Sequence, residues 1–305
     1  MHALVIDKVS DKIIHKLKEN NIEVDYKPGI DRDSILKIIG NYDILIFRSR
    51  IKIDREIINK GLNLKVLARY GIGLDNVDTD YAINRGIAVI NASTASCISV
   101  AELTIGLMIA SARNLYPHID SVKKGEWSKG MYTGIELHGK TLGIIGFGKI
   151  GSRVGVFARA IGMKLLVHDV KDVSTEVEIL GGKQVDFETL LETSDVVSFH
   201  VPLTPQTYHM LNDDALGLVK DGAIIINTSR GEVIDSRALL KHIDRLGGVA
   251  LDVLEEEPPK SPHLQDLVKH PKVIVTPHIG AETVDAMNRI ADELVDNILE
   301  AIKWC

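Results

Sequence analysis

The stretch KTLGIIGFGKIGSRVGVFARAIGMKLLVHD, residues 140–169, decides the fold. Leu142 to Ile145 is an apolar run short enough for a buried parallel strand. It leads into Gly146-Phe147-Gly148-Lys149-Ile150-Gly151, whose glycines have the G-x-G-x-x-G spacing. Behind them Ile150, Val154, Phe157, Ala158 and Ile161 recur at helical spacing, so a helix starts inside the glycine loop. Gly162 stops that helix, Lys164 to His168 reads as a second strand, and Asp169 sits at its end. Gly146 permits a tight turn, Gly148 lets the backbone approach a pyrophosphate, and Gly151 lets helix and strand pack closely. The helix N-terminus offers free N–H groups and partial positive charge to phosphates. Asp169, 18 residues beyond Gly151, is placed to accept hydrogen bonds from ribose hydroxyls and to repel a 2′-phosphate. Glycine turns are common in α/β proteins, so the spacing by itself is a weak signal. With strand, helix, second strand and terminal acid in register, it points to a dinucleotide, and to NAD rather than NADP.

The same alternation extends in both directions. Ala3–Ile6, Ile22–Val24, Ile44–Phe47, Val66–Ala68 and Ala88–Ile90 read as strands. Between them, Ser10–Glu19, Asp31–Ile39, Asp54–Asn59 and Thr79–Asn84 read as helices, with Ser10, Asp31, Asp54 and Asp78 as N-caps. Residues 98–115 form a long apolar helix, and residues 117–137 break the periodicity as a functional loop or oligomer arm carrying Trp127, Met131 and Tyr132. Further strands are expected at Val196–His200, Ala223–Asn227, Val249–Leu251 and Val273–Val275, followed by one amphipathic helix over 281–304. The fold class is therefore α/β, with two doubly wound parallel-sheet domains. Because the last helix has nothing of its own to pack on, it returns to the first domain. Residues 1–93 plus 280–305 form one domain, and 94–279 an inserted nucleotide-binding domain.

Composition narrows the partners. A chain of 305 residues suits two domains, and a net charge of −6 argues against nucleic acid. There is no run of 18 apolar residues and no signal-peptide pattern, so a cytoplasmic location away from membranes is expected. The two cysteines, Cys97 and Cys305, show neither metal spacing nor a disulfide framework, and no metal is expected. The scarcity of glutamine, at Gln184, Gln206 and Gln265 alone, fits a heat-adapted source or AT-rich coding DNA.

In open α/β sheets ligands sit outside the carboxyl ends of strands, which singles out four further places. Arg230 directly follows a strand, where its fork suits a carboxylate or simply a neighbouring acid. His278, between Pro277 and Gly280, follows another strand and is the best placed of eleven histidines for proton transfer. The run Asp252-Val253-Leu254-Glu255-Glu256-Glu257 is either a solvated turn or the source of a carboxylate for His278; spacing does not select the glutamate. Arg48, Ser49 and Arg50 end a strand of the first domain, as surface charge or as a clamp for phosphate or carboxylate. Alternation would send the two arginines to opposite faces, so a clamp requires the strand to have ended by Ser49. H-E-x-x-H, C-x-x-C and G-x-S-x-G are absent, which leaves metal hydrolysis and serine-nucleophile chemistry without support.

Taken in order, ARYGIGLDNVD (68–78), SVAELT (99–104), GKTLGIIGFGKIG (139–151), HVPLTPQT (200–207), NTSRGEVID (227–235), ALDVLEEEPP (250–259) and TPHIGAET (276–283) resemble the D-isomer-specific 2-hydroxyacid dehydrogenases over essentially the whole chain. The resemblance implies a Rossmann NAD-binding domain inserted in a flavodoxin-like substrate domain, an active site in the cleft between them, and a homodimer formed through the NAD domain and the 116–137 arm. It places the catalytic residues on Arg230, Glu257 and His278, and NAD contacts on Lys149, Ile150, Thr228, Ser229, Asp252 and Gly280 besides the glycine loop and Asp169. Ile72 and Gly73 fall on the loop whose backbone N–H groups hold the substrate carboxylate. Arg48 and Arg50 fall on a basic pair associated with the substrate's phosphate end, and Lys129 from the partner's arm is expected to join them in a phosphate clamp. Within the family the short phosphoglycerate dehydrogenases of serine biosynthesis are most similar, implying oxidation of D-3-phosphoglycerate to 3-phosphohydroxypyruvate. A glyoxylate or hydroxypyruvate reductase is the alternative, and an NAD-sensing corepressor a remote one. Two departures stand out. The turn in HIDRLGGVALD (242–252) is shorter than usual, and the chain ends at Cys305 without room for a C-terminal regulatory domain, so serine feedback through one is not expected.

Overall fold

The computed structural model describes residues 1–304. They fall into two compact units: residues 1–96 with the segment from Ala281 onward, and residues 97–280.

In the first unit β1 (His2–Val5), β2 (Glu23–Tyr26), β3 (Ile44–Phe47), β4 (Val66–Arg69) and β5 (Ala88–Asn91) form a parallel sheet in the order β2-β1-β3-β4-β5. This is the flavodoxin-like order. β3 reads ILIF and is buried along its whole length, as a strand covered on both faces must be. One face packs on the helix Val284–Ala301, which contributes Ile290, Leu294 and Ile298 to a core shared with Val5, Ile46 and Ala68. Tyr70, just past β4, fastens that helix by donating from its hydroxyl to the Met287 carbonyl at 2.5 Å. Burial pushes the Tyr70 hydroxyl up to about 12, so it stays a donor. Ser10, Asp31 and Asp54 cap their helices through side-chain oxygens. Asp78 occupies the expected cap position but makes no capping bond; its carboxylate instead accepts from Arg55 Nε at 2.9 Å.

In the second unit β6 (Thr141–Ile145), β7 (Lys164–His168), β8 (Lys183–Gln184), β9 (Val196–Phe199), β10 (Ile224–Asn227), β11 (Gly248–Leu251) and β12 (Val273–Val275) run parallel in the order β12-β11-β10-β9-β6-β7-β8. Strand order reverses between β6 and β9, the switch point where a doubly wound sheet opens a crevice. The short turn before β11 closes through a single 3-10 turn at Ile243–Arg245, with Arg245 donating to the Leu216 carbonyl at 2.7 Å.

The apolar helix spans Cys97–Ala112 and then bends by 71° into a second helix, Leu115–Lys123. The start of the expected loop is therefore helical. Asn114 takes the left-handed conformation, and Pro117 sits in the first turn, where its missing N–H costs nothing. Among the described residues, no single helix is long and apolar enough to cross a membrane.

Candidate active site

Three adjacent strands, β10, β11 and β12, each carry one of the chemistry-bearing side chains just past their carboxyl ends. These are Arg230, Glu257 and His278. His278 Nδ1 lies 2.8 Å from Glu257 Oε2. A carboxylate only accepts, so Nδ1 carries the proton and Nε2 is left with its lone pair. Nε2 has no hydrogen-bond partner among the described residues. Burial pushes the Glu257 carboxyl up, but the hydrogen bond and charge of His278, the Leu254 N–H and the charge of Arg230 outweigh it. Glu257 therefore sits below its ordinary value and stays ionised beside the histidine.

The turn that bears His278 is held from beneath by Asp252, which is 2 % exposed. Asp252 Oδ1 accepts from Thr276 Oγ1 at 2.5 Å and Ile279 N at 2.8 Å, and Oδ2 accepts from Gly280 N at 2.8 Å. His278 itself has φ +56, the left-handed region. Such a backbone costs a non-glycine residue about 1–3 kcal/mol and persists where its surroundings over-determine it. Asp252 is that surrounding, a role the motif alone does not reveal.

The Arg230 turn is built by Asn227, whose Oδ1 accepts from Ser229 N at 3.0 Å and Ser229 Oγ at 2.8 Å, while Nδ2 donates to the Arg230 carbonyl at 2.8 Å. Thr228 Oγ1 lies 2.9 Å from Thr104 Oγ1 in a buried pair that ties this turn to the long apolar helix. An asparagine one residue before a Thr-Ser-Arg turn is a legible Asx signal, and it marks the missed member of this group.

At β6 the loop has the shape a diphosphate requires. Gly146 has φ +89, and a Cβ there would meet the His200 carbonyl at 2.7 Å. A Cβ on Gly151 would collide with the Gly146 carbonyl, whereas one on Gly148 would meet nothing within 4 Å. Backbone faces open space only at the middle glycine. The helix Lys149–Ala160 starts there without a side-chain cap, and a helix start of this kind suits a phosphate. Asp169 Oδ2 accepts from Phe147 N at 2.7 Å and Oδ1 from Lys171 N at 2.9 Å. Its carboxylate thus fastens the glycine loop as well as ending β7. The residues present fit a dinucleotide.

The first unit, taken by itself, holds a second group of candidate residues. The loop after β4 turns carbonyls inward, with Arg69 Nε donating to Gly73 O at 3.0 Å and Arg69 Nη1 to Tyr70 O at 3.1 Å. The N–H groups of Ile72 and Gly73 have no partner among the described residues. β3 has ended by Phe47, so Arg48 and Arg50 are not on opposite faces of a strand. Both already have carboxylate partners. Arg50 Nε donates to Asp7 Oδ1 at 2.7 Å, where Asp7 is 4 % exposed, and Arg48 pairs with Glu282. Ser49 between them is exposed. No group of three or more His, Cys, Asp or Glu side chains among the described residues could hold a metal ion.

The profile of the D-isomer specific 2-hydroxyacid dehydrogenase NAD-binding domain matches residues 105–280, more than half of the chain. The chain belongs to this family. It is 41% identical over 299 residues to the hydroxypyruvate reductase of Thermotoga maritima, covering 97% of this chain and 96% of that one. It is 37% identical to the D-3-phosphoglycerate dehydrogenase of Archaeoglobus fulgidus, covering 99% of this chain but 58% of that longer protein. Among solved structures, the Aquifex aeolicus D-lactate dehydrogenase in complex with NAD and lactic acid superposes with a TM-score of 0.89 at 30% identity, over 99% of this chain and 95% of that one. This D-2-hydroxyacid dehydrogenase family member carries the family's NAD-binding domain.

Proposed function

We propose that the chain interconverts a D-2-hydroxy acid and its 2-oxo acid with NAD, and that His278, Glu257 and Arg230 carry the reaction. The observation behind this reading is the His278–Glu257 pair at 2.8 Å with Nε2 left open. In the oxidative direction His278 Nε2 accepts the proton of the C2 hydroxyl, and Glu257 stabilises the histidinium that forms. Arg230 holds the substrate carboxylate by its fork; within the first unit, the open N–H groups of Ile72 and Gly73 are the ones the family resemblance assigns to a carboxylate. NAD, when bound, supplies the hydride acceptor. The glycine loop and the N-terminus of the helix from Lys149 would hold its diphosphate, and Asp169 its ribose. Ile150, Thr228, Ser229, Asp252 and Gly280 would hold the rest.

For the substrate, the arginines at the end of β3 support D-3-phosphoglycerate, the substrate class the resemblance implies. A partly exposed pair such as Arg48–Glu282 is worth about 0–1 kcal/mol, less than the ~1.5–3 kcal/mol of a charge-assisted contact to phosphate. Phosphate can therefore displace Glu282. Arg50 is less available, because releasing it would strand the buried Asp7. That observation favours the second reading, reduction of hydroxypyruvate or glyoxylate, which needs no phosphate clamp. A substrate panel followed by NADH absorbance decides between them. With a phosphate clamp, Arg48→Ala raises KM for 3-phosphoglycerate about ten- to a hundredfold and leaves unphosphorylated acids nearly unchanged. Equal effects on all substrates give the reductase reading.

A second copy of this chain is the proposed partner. The 116–137 arm presents Tyr116, Ile119, Val122, Trp127 and Met131 to solvent, with Trp127 82% and Met131 69% exposed. An apolar patch of this kind marks an interaction surface.

A further inference from the structure

We infer that Glu255 is a positioning residue, seating the Glu257 loop against the Arg230 turn; this rests on the function proposed above. The three consecutive glutamates have separate partners. Glu257 faces His278, and Glu256 Oε2 accepts from Ser261 N at 2.9 Å and Ser261 Oγ at 2.6 Å. Glu255 turns to a second histidine: its Oε1 lies 2.6 Å from His209 Nε2, and its Oε2 accepts from Ser236 N at 3.0 Å.

Both partners lead back to the Arg230 turn. His209 N donates to the Glu232 carbonyl at 2.8 Å, and Ser236 opens the helix that follows that turn. Leu254 and Glu255 lie directly on Gly231, the residue after Arg230; a Cβ there would collide with the Leu254 carbonyl and Glu255 N. The space left among Asn227, Gly231, Ser236 and Glu255 is about 10 Å³, room for no more than about one water molecule. The junction is therefore close-packed. His209 is fixed in its own right: its φ is +48, Tyr208 stacks on its ring at 4.0 Å, and Asp235 Oδ2 stands 3.8 Å from Nδ1. A left-handed histidine between two carboxylates is a built feature rather than a surface pair. Since Glu257 is two residues from Glu255, its carboxylate meets His278 only while this junction holds the loop down.

The test is 2-oxo acid reduction by the whole enzyme, followed as a function of pH. Glu255→Gln should lower kcat about tenfold and move the proton-transfer limb of the profile to lower pH, by less than Glu257→Gln does. KM for NADH should change less than about twofold. In a Glu257→Gln background the same change should cost less than about twofold more, because there is no carboxylate left to position. Effects that multiply, with the limb unmoved, would overturn the inference. His209→Ala should reproduce Glu255→Gln, and His209→Gln, which keeps an N–H donor toward Glu255, should restore most of the activity. If Glu255→Gln does not fold, the His209 pair decides alone, and wild-type kcat in His209→Ala refutes the role. If Glu257→Gln itself leaves the limb in place, the proposed function falls, and the role of Glu255 with it.

Discussion

His278 sits in a backbone conformation that few side chains tolerate, and its tautomer is set by one carboxylate oxygen. Replacing it with alanine should lower turnover about a hundredfold or more, the usual scale of general acid–base catalysis, with NAD affinity little changed by calorimetric titration. In Glu257→Gln the histidinium loses its counter-charge, so the limb that reports proton transfer should move to lower pH. Glu256→Gln should leave that limb alone, since its carboxylate serves Ser261. Adjacent identical residues are where sequence reading stops: in an irregular turn, residues one apart can face anywhere, and no period assigns them. The family pattern put the role on Glu257, and the three glutamates do face three different partners. Arg48 and Arg50 show the same limit, because their partners Glu282 and Asp7 are 234 and 43 residues away in sequence.

Among the elements, the glycine loop was the most legible because every requirement on it is local. Gly151→Ala would drive a methyl group into the Gly146 carbonyl, backbone against backbone. Overpacking of this kind costs about 1–3 kcal/mol, and NAD binding should fall with it; a thermal shift with and without NAD checks both. Asp169 gives a separate prediction. Wild-type enzyme should prefer NAD over NADP by at least about tenfold, roughly 1.4 kcal/mol. Asp169→Asn should narrow that gap, because the amide no longer repels a 2′-phosphate yet still offers Phe147 N an acceptor. Less legible were Leu115–Lys123, where Pro117 masks a helix, and β8, two polar residues with no apolar run to announce them.

For the molecule as a whole, His200 links stability to pH. Burial pushes it from 6.5 down to about 3, leaving a neutral ring 2.8 Å from Ser198 Oγ. Between those values the unfolded chain binds the extra proton, so stability should fall as the pH drops, by no more than about 1.4 kcal/mol per pH unit from this group. Urea titrations across that range check it, and His200→Gln should flatten the slope. The proposed pairing of two copies is read by sedimentation: Trp127→Glu with Met131→Glu should shift a dimer toward monomer.

The first unit is interrupted in sequence, and this bears on how the chain is made. Residues 97–280 emerge from a ribosome as one unbroken stretch, and Ser99 Oγ meets the Gly280 carbonyl at 2.7 Å, so that unit can close as soon as it is released. The sheet β1–β5 leaves earlier but lacks Ile290, Leu294 and Ile298 from the last helix. At about 5–20 residues per second, the roughly 200 residues between β5 and the end of that helix take about 10–40 s to synthesise. For that interval the nascent sheet carries an uncovered apolar face over Val5, Ile46 and Ala68. Of the two units, the one whose sheet is made first is thus the last to finish folding.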